Sequence, residues 1–147
     1  MIRSARPQDQ ATVETIVSDA YRHYISRIGK PPGPMLDDYR SLIAAGAVSV
    51  LESGDGIAAI IVLLAKPDHL LLDNIAVRPE RQGQGHGRRL IAFAVAEARH
   101  LGYREIRLYT HVTMTENIAL YTRLGFVETG RGEEAGYERV FMTKSLA

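Results

Sequence analysis

The sequence predicts an α/β (α+β) chain built on a mixed sheet of about seven strands, with about four helices shared between its two faces. Three observations predict it. Runs rich in β-branched and apolar residues alternate with runs of helical periodicity, in the order β, α, α, three strands, α, β, α, two strands. Two of the β-rich runs, residues 48–52 and 57–65, are joined by Ser53-Gly-Asp-Gly56, a hairpin signal. A glycine-rich corner, Arg81-Gln-Gly-Gln-Gly-His-Gly87, stands where an apolar run stops and an alanine-rich and leucine-rich segment begins. Hairpins followed by crossovers make a mixed sheet that needs cover on both faces.

Residues 2–6 are short and alternating and fit an edge strand. Pro7 and Asp9 open the first helix, with proline where no amide hydrogen is needed. Val13, Ile16, Val17, Ala20 and Tyr24 recur at steps of three and four as its buried stripe, and the helix fades near Ile28, before Gly29. Gly29-Lys-Pro-Pro-Gly-Pro34 is a stiff loop, because three prolines remove donors and fix the backbone. Residues 37–45 read as a second, short helix ended by Gly46. After the hairpin, residues 70–77 make a third strand whose near-continuous apolarity implies two covered faces. Residues 88–101 form a helix with Leu90, Ile91, Ala94, Val95, Ala98 and Leu101 on one stripe, closed by Gly102. Residues 105–110 are a strand, and residues 115–124 a helix capped by Thr115 and stopped by Gly125. Residues 126–129 and 138–143 are strands joined through a loop at 130–136; the second of them is a candidate for pairing or exchange with a second copy, hence a homodimer.

A chain of 147 residues without repeats or a linker suits one domain over residues 1–147. The absence of cysteine excludes disulfides, thiolate nucleophiles and zinc–thiolate sites. The five histidines, at 23, 69, 86, 100 and 111, include no i, i+4 pair, so no metal is expected. The net charge of +1 gives no reason to expect nucleic acid, and no apolar run is long enough to expect a membrane span. Met1-Ile-Arg-Ser lacks the apolar stretch of a signal peptide, so a cytoplasmic location is expected.

The glycine corner carries the functional signal. Glycines at 83, 85 and 87 leave the backbone bare, so successive amides can turn onto one small anion. The helix start adds unpaired N–H groups and about half a positive charge. Arg81, Arg88 and Arg89 add full charges nearby. Such a corner suits a phosphate or pyrophosphate, although many glycine turns merely reverse the chain. A P-loop would end in Gly-Lys-Ser or Gly-Lys-Thr, whereas the only Gly-Lys, Gly29-Lys30, precedes Pro31. A dinucleotide-binding turn reads G-x-G-x-x-G after the first strand, but here the spacing is G-x-G-x-G past mid-chain. Glu105, near the position of a ribose-binding acid, opens a strand instead of closing one, which makes a nicotinamide-binding fragment a minor alternative.

Gln82, Gly85 and Gly87 match a pattern of Gln or Arg, two residues, Gly, one residue, then Gly or Ala, which resembles the acyl-CoA signature of the GNAT superfamily of N-acetyltransferases. The longer phrase Ile75-Ala-Val-Arg-Pro-Glu-Arg-Gln-Gly-Gln-Gly-His-Gly-Arg-Arg-Leu resembles that family throughout. Asn117-Ile-Ala-Leu-Tyr121-Thr-Arg-Leu-Gly-Phe126 is similar to its second motif. The order of elements is also that of the GNAT fold. The resemblance implies acetyl-CoA as co-substrate, an amine of a small molecule or peptide as acceptor, and direct attack in a ternary complex. It places the pantetheine arm along Ile75, Ala76 and Val77, and the pyrophosphate on the amides of Gln82, Gly83, Gln84, Gly85, His86, Gly87 and Arg88. Asn117 would bond the pantetheine, and Tyr121 would serve as general acid. The loop at 29–34, with Tyr21, Tyr24 and Arg27 before it, would shape the acceptor pocket, although both tyrosines also fit as helix residues packed on the sheet.

Transfer to an amine needs a proton removed. An alkyl ammonium has a pKa near 10.4, so freeing it at neutral pH costs roughly 4–5 kcal/mol. Asp73 is one candidate base: strict alternation puts it on the face of Leu71, Ile75 and Val77, where burial would raise its pKa. Asp73 and Asn74 are alternatively acceptor-binding residues, or mark a bulge. His111, at the end of the next strand, is the rival base. A phenol with a pKa near 10, such as that of Tyr121, stays protonated and can donate to a departing thiolate. Glu133 and Glu134, with Asp73, can attract a cationic acceptor, although loop glutamates are commonly just solvated. A second reading, a non-catalytic acyl-CoA sensor, would keep the glycine corner but need neither Tyr121 nor Asp73.

Overall fold

The chain forms strands β1 (Ile2–Ser4), β2 (Val48–Ser53), β3 (Gly56–Ala65), β4 (Leu70–Val77), β5 (Glu105–His111), β6 (Val127–Glu134) and β7 (Tyr137–Ser145). Its helices are α1 (Gln10–Tyr21), α2 (Ile25–Ile28), α3 (Tyr39–Ala44), α4 (His86–His100) and α5 (Thr115–Arg123). These come from a computed structural model that describes residues 1–146. The strands make one sheet in the order β1-β2-β3-β4-β5-β7-β6, antiparallel throughout except for the parallel pair β4 and β5. The predicted mixed seven-stranded sheet is therefore the observed one.

Two buried clusters flank it. Val13, Ile16 and Val17 of α1, with Tyr39 and Ile43 of α3, pack on Val50, Ile60 and Val62. On the other face Leu90, Ile91, Ala94 and Ala98 of α4, with Tyr121 of α5, meet Ala59, Ile61, Leu72 and Ile106. β3 is apolar on both faces because both are covered, and each fully buried aliphatic side chain contributes about 1.5–3 kcal/mol.

Several boundaries differ from expectation, each for a local reason. The first helix breaks at a 3₁₀ turn, Arg22–Tyr24, before α2, which Gly29 caps at φ 87°. α4 starts at His86 instead of residue 88, since Gly85 at φ 83° serves as its N-cap. Thr115 does not cap α5: Met114 is the N-cap, and the Thr115 hydroxyl bonds Glu116 Oε1 at 2.8 Å. The expected loop at 130–136 is mostly strand. Only Ala135 and Gly136, at φ 53° and 82°, turn the chain, as a two-residue hairpin requires. Gly130, Gly132, Glu133 and Glu134 suggested a loop because they pack poorly, but β6 is solvent-exposed and held by its register on β7. β7 lies between β5 and β6, so it offers no edge to a second copy; the free edges are β1 and β6. No helix among the described residues is long and apolar enough to cross a membrane.

Candidate active site

β4 and β5 pair only at Leu70↔Ile106 and Leu71↔Arg107, then part. The side of β4 facing the gap therefore carries peptide groups with no strand beside them. The Ile75 carbonyl accepts the Tyr21 hydroxyl at 2.7 Å, so it points away from β3. In an antiparallel pair both polar groups of one residue point the same way, and the Ile75 amide faces the gap as well. Gln82 Nε2 reaches the Val77 carbonyl on the same side, at 3.3 Å.

Asp73 sits at the bulge. Val62 pairs with Asn74 and Leu63 with Leu72, which leaves Asp73 without a partner on β3. The extra residue reverses the parity of the strand, so the alternation argument that grouped Asp73 with Leu71 and Ile75 fails. Leu70, Leu72 and Ile75 share one core, while Ala76 belongs to the other.

Two cavities lie on either side of this point. The larger, about 490 Å³, runs from Ile75, Ala76 and Val77 past Gln82, Gly83 and Gly85 to the start of α4, with Asn117, Leu120 and Tyr121 of α5 opposite. The first bond of α4, Arg89 N–H to Gly85 O at 3.1 Å, leaves the amides of His86, Gly87 and Arg88 without helical partners. Gly83 and Gly85 hold φ values of 79° and 83°, and a Cβ at either would meet no atom within 4 Å. The His86 ring is buried, with Nε2 3.3 Å from Gln84 Oε1 and Nδ1 unpartnered. Burial, then Arg81 and Arg89, hold its pKa below the usual histidine value. The bare amides, the helix start and the exposed Arg88 fit a diphosphate, and the gap along β4 fits an amide-bearing arm.

The smaller cavity, about 150 Å³, is lined by Asp73, Asn74, Tyr109, His111 and Arg139 of three strands, with Asp37 at its side. The proline loop roofs it. Tyr137 Oη donates to Pro31 O and Lys30 Nζ to Gly136 O, both at 2.7 Å, and Lys30 lies 4.1 Å from the Tyr137 ring centre. Tyr21, Asn117 and Tyr121 line both cavities. The Tyr121 ring is buried, edge-on to Phe126 at 5.6 Å, and burial lifts its phenol above the ordinary value.

Six of the anticipated residues meet at the small cavity: Tyr21, Asp73, Asn74, His111, Asn117 and Tyr121. Tyr24 lines the larger cavity instead, and Arg27 is committed to Glu116 Oε1 at 2.7 Å and Thr113 O at 3.2 Å. Gln84 faces Arg81 and His86. Glu134 pairs with Arg139. His111 Nδ1 accepts the Thr113 amide at 3.2 Å, and burial lowers its pKa. The sequence reading missed Asp37, Tyr109, Tyr137 and Arg139. Of these only Asp37 left a signal, since Asp37 and Asp38 stand together before a helix that one acid suffices to cap.

The model of the acetyltransferase (GNAT) family matches residues 12–126. A Bacillus subtilis (strain 168) protein named as the uncharacterized N-acetyltransferase YvbK is 29% identical over 100 residues, 67% of this chain and 63% of that protein. This chain thus spans less than two thirds of that relative. Among solved structures, the PaiA N-acetyltransferase from Thermoplasma acidophilum in complex with coenzyme A superposes with a TM-score of 0.82, covering 99% of this chain and 98% of its own at 16% identity. That likeness speaks for the fold alone. Nourseothricin acetyltransferase gives 0.62 at 25% identity, over 68% of this chain and 65% of its own.

Proposed function

Because the chain belongs to the GNAT family of acetyltransferases, we propose that it moves the acetyl group of acetyl-CoA onto a primary amine of a small molecule or peptide, by direct attack in a ternary complex. The observation that carries this reading is the junction of the two cavities at Tyr121 and Asn117. Two reactants could enter from opposite sides and meet there, and a chain without cysteine has no thiol to carry the acyl group between them.

Acetyl-CoA would supply the thioester to be cleaved. The chain's own residues do the rest. The amides of residues 83–88 hold the diphosphate, the Gln82 amide being bonded to Pro79 O, and the gap-facing peptide groups of Ile75 and Val77, with Asn117, align the amide-bearing arm. Asp73 takes a proton from the acceptor nitrogen. His111 is less suited, because its Nδ1 lone pair already receives the Thr113 amide and the neutral ring then carries its proton on Nε2. Tyr121, kept protonated by burial, returns a proton to the leaving sulfur. An acid at the bulge and a phenol at the junction favour an enzyme over a sensor, which would need neither. The test is release of free thiol from acetyl-CoA across a panel of primary amines, beside calorimetry with CoA. Amine-dependent thiol release is expected; CoA binding with no release on any amine would leave the sensor, and no CoA binding would end the proposal.

A further inference from the structure

We infer that the acceptor of this site is an amine that also carries a carboxylate, a small amino acid, and that Arg139 selects it. The free edge of the guanidinium, Nε and Nη2, receives the carboxylate, while the amino nitrogen lies toward Asp73. This rests on the acetyl-transfer reading and narrows its acceptor, with Arg139 as the residue that determines specificity.

The placing of Arg139 is the first observation. It stands on β7 opposite His111 of β5, and its guanidinium carbon lies 4.0 Å from the centre of the Tyr109 ring and 5.9 Å from that of Tyr137. Two aromatic rings thus steady a side chain that is only 14% exposed. Among the residues lining the small cavity, Arg139 is the only full cation. The other basic residue in that wall, His111, is held below the usual histidine value by burial and stays neutral near pH 7.

The hydrogen bonds of Arg139 are the second observation. Nη1 donates to Glu134 Oε1, and neither Nε nor Nη2 has an acceptor among the described residues. Neither nitrogen is sealed: the buried side-chain nitrogens and oxygens left without a partner are Asn74 Oδ1 and His86 Nδ1 alone. Both therefore keep open surface on a side chain that lines the cavity. Nε and Nη2 form one flat edge of the guanidinium, with two parallel N–H bonds spaced for the two oxygens of a carboxylate. Glu134 engages the group at another point. Its own side chain is 58% exposed, so it anchors the arginine from the rim and leaves the fork unfilled. A largely covered cation with donors to spare is best satisfied by an anion.

The acids supply the opposite pole. Asp37 and Asp73 belong to the same wall, and β5 separates β4, which carries Asp73, from β7. The two poles thus rise from strands two spacings apart, roughly 10 Å. A zwitterion with both charges on one short skeleton bridges that gap with an ionic contact at each end. A diamine would set its second cation against Arg139, and a plain amine would leave the fork empty. Glu134, an acid that could draw in a polyamine, is already committed to the arginine. The roof tied by Tyr137 to Pro31 O and by Lys30 to Gly136 O, over a cavity of about 150 Å³, suits a free small molecule better than a residue within a chain.

The experiment pairs each amino acid with its decarboxylated amine: glycine with methylamine, β-alanine with ethylamine, γ-aminobutyrate with n-propylamine, and L-phenylalanine with phenethylamine. Putrescine serves as the dication. Each is titrated calorimetrically into the CoA-loaded protein, and thiol release from acetyl-CoA is followed with the same set. In at least one pair the amino acid should bind, and turn over by kcat/KM, about thirtyfold or more better than its amine, as expected of a covered charge pair. Arg139→Met should erase that ratio by weakening the amino acid alone. Arg139→Lys keeps the charge without the fork and should restore only part of it. CoA binding checks the fold of each variant; should Arg139→Met lose it, Arg139→Lys carries the comparison. Equal binding within every pair, a preference for the amines or for putrescine, or binding of no amino acid overturns the inference. So does a ratio unchanged in the variants, or a loss shared alike by both members of a pair, which is what a merely structural arginine would give. Amino acids that bind through Arg139 without any release of thiol would uphold the carboxylate site and strike the acetyl-transfer reading instead.

Discussion

Tyr121→Phe removes one oxygen from the wall common to both cavities, and the structure gives its two consequences different sizes. The phenol takes no part in hydrogen bonding among the described residues, and the ring rests edge-on against Phe126 in a way that phenylalanine can reproduce. Stability should therefore stay within about 0.5 kcal/mol of the parent. Turnover should not. The phenol is held protonated by burial, and losing a positioned proton donor costs about 10²–10⁴ in rate. That loss corresponds to roughly 2.7–5.4 kcal/mol of transition-state stabilisation. The KM for acetyl-CoA should barely move, since backbone amides supply the grip. Thiol release at saturating acetyl-CoA with the best amine of the panel, beside a urea melt, measures both. Turnover within about threefold of the parent, well short of the general-acid range, would refute the assignment of Tyr121 as proton donor.

Other outcomes follow from single features. Gly85→Val puts a β-branched side chain at φ 83°, which should cost about 1–2 kcal/mol and weaken CoA binding in calorimetry; full affinity would count against the amide cradle. Asp9 accepts from Arg3 and from the Arg6 amide, both at 2.8 Å, and its pKa is held low, chiefly by Arg3. A depressed carboxyl stabilises above its unfolded pKa and loses that contribution as pH falls through the folded one. Asp9→Asn should therefore cost about 1–3 kcal/mol at pH 7 in denaturant unfolding, with the gap closing below about pH 4. Asp38→Ala removes the cap on Ser41 N–H and should cost about 1 kcal/mol, while Leu90→Ala in the core should cost about 2–5 kcal/mol in the same assay.

What the sequence disclosed was local. The glycine corner, the hairpin at residues 53–56 and the stripe of α4, save for Leu101, which lies past the helix end and is exposed, are each written within a dozen neighbouring residues, so spacing alone exposes them. The wall for the larger cavity was legible for the same reason. The smaller cavity was not, because Asp37, Asp73, Tyr109 and Arg139 converge from four separate segments and no local pattern ties them together. Asp73 was found by its chemistry and then placed on a face by alternation, which a single extra residue in β4 defeats. β6 was cut short because its glycines and glutamates carry no packing signal; its order comes from the partner strand.

The parting of β4 from β5 has a consequence for solubility. An unpaired strand edge at the rim of a sheet is open to any passing chain and is a common start of aggregation. Here the vacant row of peptide groups lies mid-sheet, with Tyr21 from one layer and Asn117 and Tyr121 from the other standing over it. A pleated segment with side chains on both sides would collide with these walls, whereas a thin, unbranched chain would slide in. The molecule thereby keeps a hungry edge for one narrow guest while shutting out its own kind.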